Sequence, residues 1–176
     1  MQIFRFFLVL FVLLIHCCLF AQNNDNDSKC SMLINVCEYI TWQNEAKLLK
    51  YKPFLIFIIG ETPLALGLDK FYLQNIKNRR VLVKNVYALD KNLKKADLLI
   101  ISEDAIDSLA IIRKKIDRYR TLIVTENNQN DTNGVQLSFS NQNNEIIIKI
   151  YEINLENSGF KVSTKLRAYN KVKIIK

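Results

Sequence analysis

The chain has 176 residues and a formal net charge of +8, from 25 basic and 17 acidic residues, with one histidine. Its length suits one domain with a real core, and the basic excess speaks about partners rather than fold. A lone histidine, at position 16, leaves little room for neutral-pH acid–base chemistry or for the commonest kind of metal site.

Met1 to Phe4 carries no acid, Arg5 adds a positive charge, and Phe6 to Ile15 is an unbroken apolar run. Small and polar residues then arrive at Ala21-Gln22-Asn23-Asn24-Asp25. That order reads as a secretory signal peptide over residues 1–21, with cleavage expected after Ala21. The run falls short of the ~20 residues that a bilayer span needs. An uncleaved anchor helix is the alternative. A lipid anchor on Cys17 or Cys18 is disfavoured, because His16 or Cys17 would occupy a position that calls for a small residue.

Cleavage would remove His16, Cys17 and Cys18, and Arg5 as the only charged residue, so the mature chain stays basic. Ser-His-Asp and Cys-His catalysis are then excluded. No catalytic residue, cofactor or metal site is assigned, and the expectation is a protein that binds and is not an enzyme. Carboxylate pairs remain open in principle, but nothing in the spacing points to one.

Gln22 to Asp27 is a polar stretch, expected as a flexible leader over residues 22–28. From there Cys30, Leu33, Ile34, Cys37 and Ile40 fall at i, i+3, i+4, i+7 and i+10, one apolar stripe of a helix ending near Thr41-Trp42. Cys30 and Cys37 sit two turns apart on that face, about 10 Å at helical rise, whereas a disulfide needs about 7 Å or less. They read as small core residues, with pairing between chains as the weaker alternative.

Pro53 opens Phe54-Leu55-Ile56-Phe57-Ile58-Ile59, closed by Gly60. Such a run fits a strand buried on both faces in the middle of an α/β sheet. Val81 to Val86, Asp97 to Ile101 and Thr121 to Thr125 read as further strands. Between the last two, Ser102-Glu103-Asp104 has the composition of a helix start, followed by an inward stripe of Ile106, Leu109, Ile112 and Ile116. Glu126 to Gly134 is a turn-forming loop. Val135 to Ser140 and Glu145 to Ile150 read as a β-hairpin across Asn141-Gln142-Asn143-Asn144. After a turn over Asn154 to Gly159, a final helix from about Ser163 is expected to carry Leu166, Tyr169 and Val172 inward. There is no repeat and no linker. The reading is one α/β domain over residues 29–176, a mixed β-sheet of about six strands flanked by helices.

Three stretches give this pattern a likeness. Asn35-Val36-Cys37-Glu38-Tyr39-Ile40-Thr41-Trp42, Phe57-Ile58-Ile59-Gly60 followed by Pro63, and Glu145 to Ile153 with Ser158-Gly159-Phe160-Lys161-Val162-Ser163 and Lys165-Leu166 stand in order. Together they resemble the YfiR-like periplasmic proteins over about residues 29–175. The resemblance implies an exported, non-enzymatic regulator that binds the extracytoplasmic part of a membrane signalling enzyme, a diguanylate cyclase or a sensor histidine kinase. Two departures stand out. Gln43 replaces the proline usual after the tryptophan, and no cysteine follows Cys37, so a redox switch built on later cysteines does not transfer.

Two sets of candidate site residues follow. In open α/β sheets ligands sit outside the carboxyl ends of the strands, which here carry Gly60, Glu61 and Thr62, then Ser102 and Glu103, then Thr125 and Glu126. A small-molecule crevice there is the alternative function, and its acids favour a cationic or neutral ligand. The bland reading is that these are ordinary caps and loop residues. The second set is a partner contact: Tyr39 and Trp42 at the end of the first helix, with Lys165, Arg167 and Lys171. Residues 161–176 hold six cations and no acid, suited to an acidic partner or anionic lipid. Here the bland readings are a core seal for the aromatics and a solvated face for the lysines. Export and the lack of interleaved aromatics beyond Tyr169 speak against nucleic acid. A homodimer stays open.

Overall fold

The longest apolar run sets the centre of the sheet. In the computed structural model, which describes residues 25–43, 45, 52–126, 134–143 and 145–176, Phe54–Ile59 forms strand β2. It lies between β4 (Arg79–Asn85) and β5 (Leu98–Ile101). Beyond β5 come β6 (Leu122–Thr125) and β7 (Leu137–Gln142). These five strands run parallel, in the order β4-β2-β5-β6-β7. On one flank β8 (Glu145–Tyr151) returns antiparallel to β7, and β10 (Val172–Ile175) adds parallel to β8. On the other, β3 (Asn75–Ile76) folds back on β4 through Lys77 and Asn78, both at positive φ.

Alternation along the strands splits the core in two. Ile56, Ile58, Leu98, Ile100, Leu122, Val124 and Leu137 face one side. Phe57, Ile59, Leu99, Ile101 and Ile123 face the other. Burying each such side chain contributes about 1.5–3 kcal/mol. The first face is covered by α1 (residues 25–39) through Cys30, Leu33, Ile34 and Cys37, and by α2 (Leu64–Asp69) through Leu64 and Leu68. Leu155 of α4 (Glu152–Asn157) and Leu166 of α5 (Thr164–Arg167) complete that side. The second face is covered by Leu109 and Ile112 of α3 (Leu109–Lys115).

The α/β class, the single mixed sheet and the hairpin agree with the sequence reading, while the sheet has eight strands rather than about six. A separate two-stranded ladder pairs β1 (Ile40–Thr41) with β9 (Lys161–Val162). Residues 25–28 are helical, so the leader expected over 22–28 gives way to α1 there; the signal segment 1–21 lies outside the described residues. The expected long final helix is corrected to the four residues of α5 followed by a strand. Tyr169 is 41% exposed rather than inward. Val172, Ile174 and Ile175 are β-branched, which favours extended backbone, and β8 offers them an open edge. The segment after Ser102 is a 3₁₀ stretch, Glu103–Ser108, before α3 begins.

Cys30 and Cys37 are free and buried in the first core, as their spacing predicts. Burial pushes the Cys30 thiol up to about 12 and the Cys37 thiol further still. A thiolate is the reactive form, so a maleimide at neutral pH should label neither residue in the native protein and both after denaturation. Rapid native labelling would mean that α1 opens readily.

One charged cluster sits at the start of the central strands. Asp97, fully buried, accepts from Arg79 at 2.9 and 2.7 Å and from the Leu55 amide at 2.9 Å. Arg120 Nη2 lies 3.4 Å away. Arg79 also donates to the carbonyls of Lys52 and Pro53, at 3.1 and 2.7 Å. Removing one partner from a buried pair costs about 3–5 kcal/mol, because the other charge is left uncompensated. Asp97→Ala should therefore lower the urea midpoint by that equivalent at unchanged slope. A near-neutral outcome would show that the cluster does not hold the strands.

Candidate functional site

The chain leaves β2 for β4 on one side and then crosses back to β5 on the other, which puts a topological switch point above β2 and β5. Gly60, at φ +88°, ends β2 where an added Cβ would lie 1.8 Å from Ser102 Oγ, so only glycine fits under that hydroxyl. Ser102 is buried; its one hydroxyl proton is shared between the Ile59 carbonyl, at 2.9 Å, and the Asp104 carboxylate. Its own N–H donates to the same carbonyl at 3.0 Å. Asp104 accepts the Glu61 N–H at 3.2 and 3.3 Å. The Ser102 hydroxyl first, and the Glu61 amide next, hold the Asp104 carboxyl below its usual range.

On the neighbouring strand end, Thr62 donates to Glu126 Oε1 at 2.5 Å and accepts the Leu64 N–H at 3.0 Å, which starts α2. Burial pushes the Glu126 carboxyl up, opposed by the Thr62 hydrogen bond. Thr125 is buried, and among the described residues its hydroxyl has no hydrogen-bond partner. Glu103 is exposed and joins Glu126, Lys29 and Lys149 around an open depression of about 630 Å³. The structure thus joins Gly60, Glu61 and Ser102 through Asp104, which the sequence reading named with Ser102 and Glu103, and ties Thr62 to Glu126. The donors at the switch point are already engaged by the protein's own oxygens.

The second set gathers around the end of α1. Tyr39, its last residue, is 43% exposed. Its carbonyl accepts the Ser163 N–H at 3.1 Å, and Ser163 Oγ accepts the Leu166 N–H at 3.2 Å, so α5 is tied to the end of α1. Between the two helices lies a groove of about 260 Å³ with Val36 and Leu166 below and Tyr39, Lys165 and Tyr169 at its sides. Trp42 is 3% exposed. Its ring meets Phe54 and Phe160 edge-on, with centroids 5.6 and 5.5 Å away, and its Nε1 donates to the Arg120 carbonyl at 2.8 Å. Burial there makes it a support under the surface. Arg167 pairs with Glu152 beside a second, wider groove next to Gly159 and Phe160. Lys171 lies at the sheet edge, its carbonyl bonded to the Ile148 N–H at 2.9 Å. Tyr39 and Lys165 therefore share one groove, while Trp42, Arg167 and Lys171 do not line it. Tyr169 was missed as a surface residue because the helical spacing turned it inward.

The YfiR/HmsC-like family model matches residues 26–168, from α1 to just past α5. The chain belongs to that family. Members of the YfiR/HmsC-like family are periplasmic regulators of signalling, a regulatory rather than a catalytic family. No curated protein sequence matches the chain. Among the described residues no helix is long and apolar enough to cross a membrane. The family match covers both candidate sets except Lys171.

Glu126 holds its proton more tightly in the folded than in the unfolded chain. That contribution is present below the ordinary glutamate range and is lost as pH rises through the raised folded value. Glu126→Gln mimics the neutral carboxyl and removes the dependence. Relative to that variant, the wild type should lose stability as pH rises from acid towards neutral, read by urea titration at each pH. A constant difference would mean that Glu126 titrates normally.

Proposed function

We propose that this chain is an exported regulator that docks on the extracytoplasmic part of a membrane signalling enzyme, a diguanylate cyclase or a sensor histidine kinase, and controls its activity. The observation that carries the reading is the groove between α1 and α5, whose two exposed tyrosines flank an apolar floor beside Lys165. Tyrosines around an apolar centre have the make-up of a protein-binding hot spot, and Lys165 at the rim adds charge that steers an acidic partner. The groove also coincides with two of the stretches that carry the family likeness, around Tyr39 and around Lys165-Leu166. The alternative, a solute crevice at the strand ends, is weakened because Ser102 and the Glu61 amide already have partners in the fold.

Capture from detergent-solubilised membranes of the source organism, with residues 22–176 as bait, tests the proposal. One sensor kinase or cyclase should be retained, and Tyr39→Ala with Lys165→Glu should weaken capture by about tenfold or more, the scale of a hot-spot loss. If the bait retains nothing while a metabolite raises its melting temperature by mass action, the solute-binding reading replaces it.

A further inference from the structure

We infer that the outer edge of β10 is a docking strand for an extended acidic segment of the partner, an inference that rests on the regulator reading and names how the partner is held. β10 ends the eight-stranded sheet and pairs on one side only, with β8. The Ile148 N–H donates to the Lys171 carbonyl at 2.9 Å. In a parallel ladder, alternate residues of a strand address the same neighbour, so Lys171, Lys173 and Ile175 address β8. Ile174 then turns its N–H and C=O outward. Among the described residues no backbone hydrogen bond outside the strand ladders reaches them, and the β8 ladder passes them by. Such an edge is a template for another strand.

Charge says which strand. Lys173 stands directly opposite Lys149 on β8, and like charges at that spacing oppose each other. Among the described residues neither lysine forms an ion pair. Lys171 and Lys176 flank the strand, and residues 161–176 contain no acid. A second copy pairing through this edge would set the same lysines against one another around a twofold axis. An added strand with acids at alternate positions would instead relieve the Lys149–Lys173 opposition and satisfy Ile174. β10 lies beyond the residues that the family model matches, so this edge is argued from this chain's own charges.

The test uses the whole mature chain, an alternating Glu/Val peptide as probe, and a Lys/Val peptide as control. The Glu/Val peptide should slow hydrogen exchange at the Ile174 N–H by about tenfold, and the Lys/Val peptide should leave it unchanged. Proline is tolerated on a strand edge where its missing N–H would face outward. Ile174 packs partly against the core, so Ile174→Pro and Ile174→Ala should both stay folded with similarly lowered melting temperatures. Only Ile174→Pro should lose the Glu/Val peptide, because Ile174→Ala keeps the N–H. Protection by both peptides, by neither, or binding unchanged in Ile174→Pro overturns the inference, as does a wild-type dimer that Ile174→Pro dissolves. In the membrane capture, retention of the partner by Ile174→Pro at the wild-type level sinks the edge and leaves the regulator standing. Failure of the wild type to capture anything sinks the regulator, and the peptide measurement then decides the edge alone.

Discussion

The fold depends on one buried carboxylate. Asp97 sits where four parallel strands begin, and it ties them by both backbone and side chain. Its N–H reaches the Leu55 carbonyl on β2 and its carbonyl takes the Leu122 N–H on β6, at 2.9 and 3.0 Å. Its side chain holds Arg79 at the head of β4. Hydrophobic pressure alone would let apolar strands slide by two residues without changing which face is buried. A buried ion pair that satisfies its hydrogen bonds in only one register forbids that slip. Its net stabilisation is modest beside the core; its effect is to select one alignment.

The same cluster reaches the surface. Arg120, which leans on Asp97, offers its carbonyl to the Trp42 indole. Trp42 follows β1, whose pairing with β9 sets the end of α1 beside the start of α5. The groove between those helices is thus a chain of rigid contacts away from the sheet's central clamp: carboxylate, guanidinium, indole, ladder, helix end. A recognition surface built on such supports holds its shape before a partner arrives, which lowers the ordering cost of binding.

Much of this was legible in the order of residues. β2, β5 and β6 are continuous apolar runs between polar breaks, and no helix of that length competes with them. The stripe from Cys30 to Cys37 marked the core face of α1, while Ile40, the last residue of that stripe, belongs to β1. What escaped has physical reasons. α2, α4 and α5 span six, six and four residues, too few for a helical period to declare itself. β1 and β9 are two residues each and exist only because they meet. Arg79 and Asp97 stand 18 positions apart, and a charge beside an apolar run reads as the edge of a loop until the fold supplies its partner. Asp104 closes the switch point by accepting the Glu61 N–H, 43 positions away in sequence, and no local spacing announces that.

The chain has a single tryptophan, and it is the residue at the joint between sheet, ladder and helix end. Its emission therefore reports on one place: an indole packed between two phenyl rings, shielded from water, with its N–H held by a carbonyl. A partner that shifts α1 against the sheet would change that environment, and one that only covers the outer groove would leave it alone. The molecule carries its own optical gauge, set at the joint where a conformational signal would have to pass.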